Sequence, residues 1–454
     1  MGTTATALSP LAIENRRQRF HEGLYLGLQA ARGRTVGACM RQLREWEQLD
    51  RTSFDRLTAQ RLRDALQRAA AEVPLYGTGE WRAALAHQRP EDIRAWPVLE
   101  RDVVRTQGRD LMARHRPLGT SWRHSSASTG APLSVAYNPR AKAWSWAGEH
   151  RAALWHGVPL GAKMLMMWGH SHTVLDWIKN SRVFNAKELN AARLDEAARW
   201  LVEESADVCM GLPSAVARLA RHVRAQYPQA APSLCRFAKL GGEQVYPFQR
   251  EEIARHLGAR VIDFYGCTEV GAIAAECPAG SRHVFTEIVH VEVMRGDEVL
   301  PAGEKGDLVI TSLTNRAMPL VRCRVGDRGT LSPDPCSCGL PQPVLAELEG
   351  RAADLFAAAD GRLVHGSALG EGLKTFLAKT PAGAVGQVLF RQVDPRHWQV
   401  LVESGEGFDD ALAKQLTALV QGTFGNSCAA EIRRVDTVPR ERSGKFRYYS
   451  RHLT

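Results

Sequence analysis

Cysteine is scarce in this chain, with nine among 454 residues. That density excludes a small disulfide-stapled scaffold, and the odd number leaves at least one thiol unpaired, so a reducing compartment is expected. Long apolar runs are also missing. No stretch of about eighteen apolar residues could cross a bilayer as a helix. Residues Met1 to Pro10 show no basic segment followed by an apolar core, so a cytoplasmic location without a membrane partner is the expectation. Blocks of like charge are lacking as well. The net charge of +10 is spread over scattered arginines, with no run of five or six basic residues, which argues against a nucleic-acid partner. Such a surface would still draw in ATP, coenzyme A or an acidic carrier protein at long range. At 44% hydrophobic and 24% charged residues there is no polar bias towards disorder, and the length calls for two or more domains.

What is present gathers around Asp263-Phe264-Tyr265-Gly266-Cys267-Thr268-Glu269-Val270-Gly271. The preceding Arg260-Val261-Ile262 reads as a strand, and a tight polar turn follows. In an α/β sheet ligands collect at the carboxyl ends of strands, and here that end offers an aromatic face, a hydroxyl and a carboxylate. Those groups suit a nucleotide with its metal; they would equally serve a strand-to-helix turn with a capping threonine.

Upstream, Ser125-Ser126-Ala127-Ser128-Thr129-Gly130-Ala131-Pro132 runs into the alternating Leu133 to Tyr137. Small residues let backbone amides converge on an anion, and hydroxyls add donors, so the loop reads either as a phosphate cradle or as a solvated turn. Met164 to Trp168 reads as a buried strand ending at Gly169-His170. Met210-Gly211-Leu212-Pro213-Ser214 opens a helix. Phe237 to Leu240 is a strand leading into Gly241-Gly242-Glu243. Further on come Gly303 to Thr311, Pro319 to Asp327, Gly350-Arg351-Ala352-Ala353-Asp354 and finally Pro439-Arg440-Glu441-Arg442-Ser443-Gly444-Lys445.

Together these segments, from about Pro74 to Arg447, resemble the adenylate-forming enzymes, in particular the phenylacetate-CoA ligase-like, coenzyme F390 synthetase and CapK-like branch. The resemblance implies an α/β fold: a large N-terminal adenylate-forming domain with mixed sheets and flanking helices (residues 1–349, helical over about 11–86), a hinge at 350–354, and a small mobile α+β C-terminal domain (355–454). It implies an ATP-dependent ligase that activates a small-molecule carboxylic acid as acyl-AMP and passes the acyl group to a thiol, on coenzyme A or a carrier protein, or to an amine. Lys445, Glu269 and Thr268 would be the catalytic set, with Tyr265 against adenine, Thr268 on phosphate and Glu269 holding magnesium. Nucleotide contacts would come from Ser125, Ser126, Ser128, Thr129, Gly130, Gly241, Gly242, Glu243, Asp263, Tyr265, Gly266, Asp327 on the ribose, and Arg351. Trp168, Gly169, His170, Pro213, Cys267 and Gly271 would border the acyl substrate.

The chain departs from the pattern in two places. Ala131 stands where the family has a phosphate-binding lysine, and Ala353 stands at a hinge position that is often acidic. A reduced fold that only binds a nucleotide or metabolite is therefore the alternative.

Cys277, His283, Cys336 and Cys338 form a further group, the last two in a stretch too poor in apolar residues to need thiols for packing. Cys₃His is a standard closed set for structural zinc. The same cluster resembles one carried by the CapK-like branch. Reduced loop cysteines are the plain alternative.

Overall fold

The computed structural model describes residues 16–86, 89–125, 132–230, 233–351, 355–441 and 443–451. Ser126, Ser128, Thr129 and Gly130 of the phosphate loop, with Ala127 and Ala131, lie outside them, as do the hinge residues 352–354 and the side chain of Arg351.

Helical periodicity near the start yields three long helices, Arg16–Ala31, Val36–Trp46 and Arg51–Glu72. Asp50 caps the third by accepting from the Ser53 amide. They pack on a fourth, Pro139–Trp155, where Trp46 stacks on Trp144 with 5.5 Å between centroids. The Arg61 guanidinium lies over both rings, at 4.9 and 4.8 Å.

The centre is a twelve-stranded mixed sheet. Five parallel strands form one side in the order Ser181–Asn185, Met164–Trp168, Val208–Gly211, Phe237–Gly241, Arg260–Cys267. Parallel strands need cover on both faces. Leu165, Met167, Cys209, Ala238 and Leu240 face the helices Ala191–Glu204, Pro213–Gln226 and Pro247–Leu257 across an apolar core. The alternate residues Met164, Val208, Met210 and Phe237 turn towards Ala153 and Val158, at the end of the helix Pro139–Trp155. From Arg260–Cys267 the sheet continues antiparallel through Gly271–Glu276, Arg282–Val284, Val344–Arg351, Cys323–Leu331, Lys305–Ser312 and Val289–Arg295 to the edge strand Glu298–Val299.

A separate four-stranded sheet follows in the order Ala429–Val435, His397–Ser404, Val385–Asp394, Tyr449–Arg451, with helices Leu369–Lys379 and Asp410–Phe424. Its alternating apolar residues form a core shared with Tyr246 and Phe248, at the start of the helix Pro247–Leu257, and in it Trp398 stacks on Phe424 at 4.2 Å. In the sequence, residues 396–403 alternate like a strand, 408–423 read as an amphipathic helix and 429–435 as another strand, and all three are present within a residue or two.

Two details differ from the sequence reading. The strand expected over 260–262 runs on to Cys267, and the turn is confined to the three residues before Gly271. It returns the chain as a hairpin, not as a helix. Asp327, expected at a strand end, stands in the middle of the nine-residue strand Cys323–Leu331, just after Gly326 at φ +86°.

Candidate active site

The carboxyl ends of Phe237–Gly241 and Arg260–Cys267 open onto one cavity, lined by Gly242, Glu243, Asp263, Tyr265, Gly266, Cys267, Thr268, Glu269 and Asp327. The Tyr265 hydroxyl donates to Asp327 Oδ2 at 2.8 Å, tying the aromatic face to the carboxylate and fixing both. Burial, reinforced by Asp327, holds that phenol far above its usual range, so it remains a donor. Tyr137 braces the turn from behind by donating to the Thr268 carbonyl at 2.9 Å.

Glu269 is almost fully buried and pairs with Arg101 Nη2 at 2.8 Å. Sequence reasoning missed this arginine, because only the pairing of distant segments brings it here. The Pro97-Val98-Leu99 segment runs beside the strand Cys323–Leu331, with the Leu99 amide donating to the Arg322 carbonyl at 2.9 Å, and so delivers Arg101 to the cavity. Asp263, expected among nucleotide contacts, is bound by Arg282 Nε at 2.8 Å. Burial raises its carboxyl and the arginine opposes that, so Asp263 serves the wall more than a ligand.

Lys445 enters the same cavity from the C-terminal loop, with Glu441, Phe446 and Arg447. Gly242 borders it. A Cβ built there would meet Lys445 Cε and Trp168 Cη2 at ordinary contact distances of 3.7 and 3.5 Å, so it is the φ of +84° that favours glycine at this turn. Ser125 lines the cavity and closes the base of the phosphate loop, its amide donating to the Leu133 carbonyl at 2.8 Å and its hydroxyl accepting from the Leu133 amide at 2.9 Å.

Several expected substrate-pocket residues stand elsewhere. Gly169 is a landing point for the C-terminal loop, because the Ser443 carbonyl occupies the space a Cβ would take. His170 turns away to Asp176 at 3.5 Å and is 42% exposed. Pro213 is buried at the first turn of the helix Pro213–Gln226. Gly271 packs on Ser145 and Tyr137. Cys267 does line the cavity, but burial pushes its thiol well up, so it is pocket wall and not a nucleophile. Arg351 pairs through its backbone with Asp327.

Comparison with known proteins bears on this arrangement. The chain matches no protein-family model. It is 25% identical over 325 residues to the phenylacetate-coenzyme A ligase of Pseudomonas putida, covering 65% of this chain and 70% of that one. With the same enzyme of Escherichia coli K12 it shares 26% over 311 residues, 63% of this chain and 69% of that one. Among solved structures, 2-hydroxyisobutyryl-CoA ligase in the postadenylation state, bound to R3-HIB-AMP, overlays with a TM-score of 0.70 at 18% identity, covering 89% of this chain and 91% of that one. The same ligase in the thioesterification state, with 2-HIB-AMP and CoA, overlays at 0.57, with 19% identity and the same coverage. The chain is similar in sequence to phenylacetate-CoA ligases and shares the fold of the adenylate-forming CoA ligases.

A second cluster lies beyond the cavity. Ligand atoms of Cys277, His283, Cys336 and Cys338 all fall within 4.8 Å of one another. Cys277 Sγ and Cys336 Sγ are 3.8 Å apart, and Cys338 Sγ is 3.2 Å from His283 Nε2. A tetrahedron with metal–sulfur bonds of about 2.3 Å has edges of roughly 3.8 Å, so the thiol spacing fits such an ion. His283 Nδ1 donates to the Gln342 carbonyl at 2.9 Å, which fixes the tautomer and turns Nε2 to the cluster. Burial raises the Cys336 thiol, but hydrogen bonds from Ser281, the Cys338 amide and His283 outweigh it and bring it to about 6, whereas burial leads in pushing Cys338 up to about 12.

Proposed function

We propose that this protein is an ATP-dependent acid ligase that forms an acyl-AMP and hands the acyl group to a thiol, with coenzyme A favoured because the relatives are named as coenzyme A ligases. The convergence of the Tyr265–Asp327 pair, Glu269 and Lys445 on one cavity carries the reading. In the first step an oxygen of the acid bonds to the α-phosphorus as the bond to pyrophosphate breaks. Lys445 meets the negative charge that builds on the transferring group. In the second, the thiol sulfur bonds to the acyl carbon, AMP leaves and the thiol proton is lost to solvent. Magnesium arriving with ATP would neutralise phosphate charge, with Glu269 as its carboxylate ligand. Arg101 would then exchange Glu269 for phosphate, and its guanidinium supplies a cation that the Ala131 loop does not.

The Cys277, His283, Cys336 and Cys338 set fits a structural zinc ion, and its four protein ligands would leave no open position for chemistry. This cluster supports placing the chain with the coenzyme F390 synthetase and CapK-like relatives. A division into a large unit ending near residue 349 and a small mobile unit beginning near 355 is part of the same proposal, supported by the four-stranded sheet, which forms a hydrogen-bonded unit apart from the twelve-stranded one.

ATP–pyrophosphate exchange with a panel of carboxylic acids that includes phenylacetate and 2-hydroxyisobutyrate tests the activity. Exchange with at least one acid is expected. If none supports exchange while ATP binds, the chain is a nucleotide-binding protein instead, which is the reading that Ala131 favours. Asp327→Ala should weaken both ATP and acyl-AMP by about ten- to a hundredfold, since hydrogen bonds to a charged acceptor are worth roughly 1.5–3 kcal/mol. Unchanged affinity by calorimetry would remove Asp327 from the ribose site.

A further inference from the structure

Glu243 follows Gly241-Gly242 and lines the cavity, yet its hydrogen bonds go to Ser214 and Phe446. It is half-buried, and desolvation pushes its carboxyl up while Arg440 and those hydrogen bonds oppose the shift, so its oxygens need their partners. Oε2 accepts from the Ser214 amide at 2.9 Å, and Oε1 accepts from the Ser214 hydroxyl at 3.0 Å. Those donors stand at the first turn of the fourteen-residue helix Pro213–Gln226, where the helix dipole favours an anion. The remaining bond is the informative one. Oε1 also accepts from the backbone amide of Phe446 at 2.6 Å, the residue directly after Lys445.

Arg440 completes the arrangement from the loop's side. Its Nη1 donates to Ser214 Oγ at 3.1 Å and to the Gly444 carbonyl at 2.9 Å, and its guanidinium lies 5.5 Å over the Phe446 ring. Within the loop, Glu441 accepts from Arg447 at 2.7 Å, and the Glu441 amide donates to the Lys445 carbonyl at 2.9 Å. Those internal bonds would travel with the loop. The bonds to Glu243 and Ser214 cross to the large sheet's helices and would have to break for the loop to leave. Lys445 therefore reaches the cavity on a loop whose next backbone amide is held by the Glu243 carboxyl.

We propose that Glu243 is a latch that holds the Lys445 loop in its first-step position, a positioning residue and not a nucleotide ligand. Its catalytic consequence rests on the adenylate-forming activity proposed above, whereas its conformational consequence does not. A half-buried carboxyl bound to three donors makes the docked state specific. Releasing the Phe446 amide leaves Glu243 both Ser214 donors, so the loop can leave without emptying the carboxyl's hydrogen bonds. The closer overlay on the postadenylation form than on the thioesterification form of 2-hydroxyisobutyryl-CoA ligase supports a docked loop in this structure.

Hydrogen exchange read at the Phe446 amide, in wild type, Glu243→Ala and Glu243→Gln, tests the latch without any substrate. The alanine variant should exchange about ten- to a hundredfold faster at Phe446, with the strand Met164–Trp168 keeping its protection. The glutamine variant, which retains one acceptor oxygen, should fall between. If the alanine variant loses protection throughout, the glutamine variant decides, and wild-type exchange at Phe446 in that variant overturns the latch. With an acid that supports exchange, acyl-AMP formation in both variants should drop at least about tenfold while the KM for ATP moves less than about threefold. Transfer from supplied acyl-AMP to coenzyme A should stay near the wild-type rate. Equal losses in both half-reactions overturn the proposal. If no acid supports exchange in wild type, faster exchange at Phe446 still upholds the latch, and only the activity reading falls.

Discussion

Lys445→Ala is expected to lower acyl-AMP formation by about two to three orders of magnitude and to leave ATP affinity nearly intact. Lys445 lines the cavity with Tyr265, Glu269 and Asp327, its Cε beside Gly242, while Ser443 of the same loop lands on Gly169. A lysine so placed is a point charge that can meet a developing phosphoryl charge, and such an interaction is stronger in the transition state than in the ground state. The effect should be large here because the phosphate loop carries Ala131 where a second cation would share the work. Lys445→Arg should rescue poorly, since a planar fork does not replace a compact ammonium in the space bounded by Gly242 and Trp168. Given acyl-AMP and coenzyme A, the alanine variant should still make thioester. Pyrophosphate exchange at the wild-type rate would remove Lys445 from the chemistry.

The sequence made this site legible where a residue's role is local. Tyr265, Thr268 and Glu269 follow a strand whose hydrophobic pattern is plain, and the Gly-Gly turn at 241–242 follows another, so their meeting needs only the rule that parallel strands present their carboxyl ends together. Lys445 was legible from its glycine-containing loop, although nothing local says which face that loop docks against. What could not be read is pairing between distant segments. Arg101 reaches Glu269 only because Leu99 bridges to Cys323, and that parallel bridge joins residues more than two hundred positions apart.

Glu243 shows the same limit from the other direction. A glutamate after two glycines at a strand end looks like a ligand contact, and only its bonds to Ser214 and Phe446 reveal that both oxygens are already used. His170 and Gly271 were assigned by order along the chain, but the capping box of the short helix Val174–Ile178 draws His170 to Asp176, and the hairpin turns Gly271 towards Ser145. Likewise, Asp327 at mid-strand was obscured because a polar Gly-Asp pair reads as a turn. In the structure a register shift opposite, between Asp307 and Val309, lets the strand continue through it.

Cys336→Ser should abolish metal binding and lower the melting temperature by about 5 °C or more, the size expected when a metal clip worth several kcal/mol is lost. The cluster joins two segments that sequence places far apart: the turn from Cys277 to His283 and the loop before the strand Val344–Arg351. His283 faces Val344 across the antiparallel pair, and Val344–Arg351 in turn pairs with the strand that holds Asp327. An ion there would pin a register that the two short strand pairs fix only weakly. The size of the effect distinguishes the two readings of these thiols. Cys336 is only half-buried, and serine is nearly isosteric, so in a metal-free cluster the substitution should change stability by no more than about 0.5 kcal/mol. Protein prepared without chelator should carry about one zinc per chain. Chelation should lower the melting temperature of wild type towards that of Cys336→Ser and leave the variant unmoved. Equal melting of wild type and variant, with no zinc found by elemental analysis, would make these four residues ordinary reduced loop side chains.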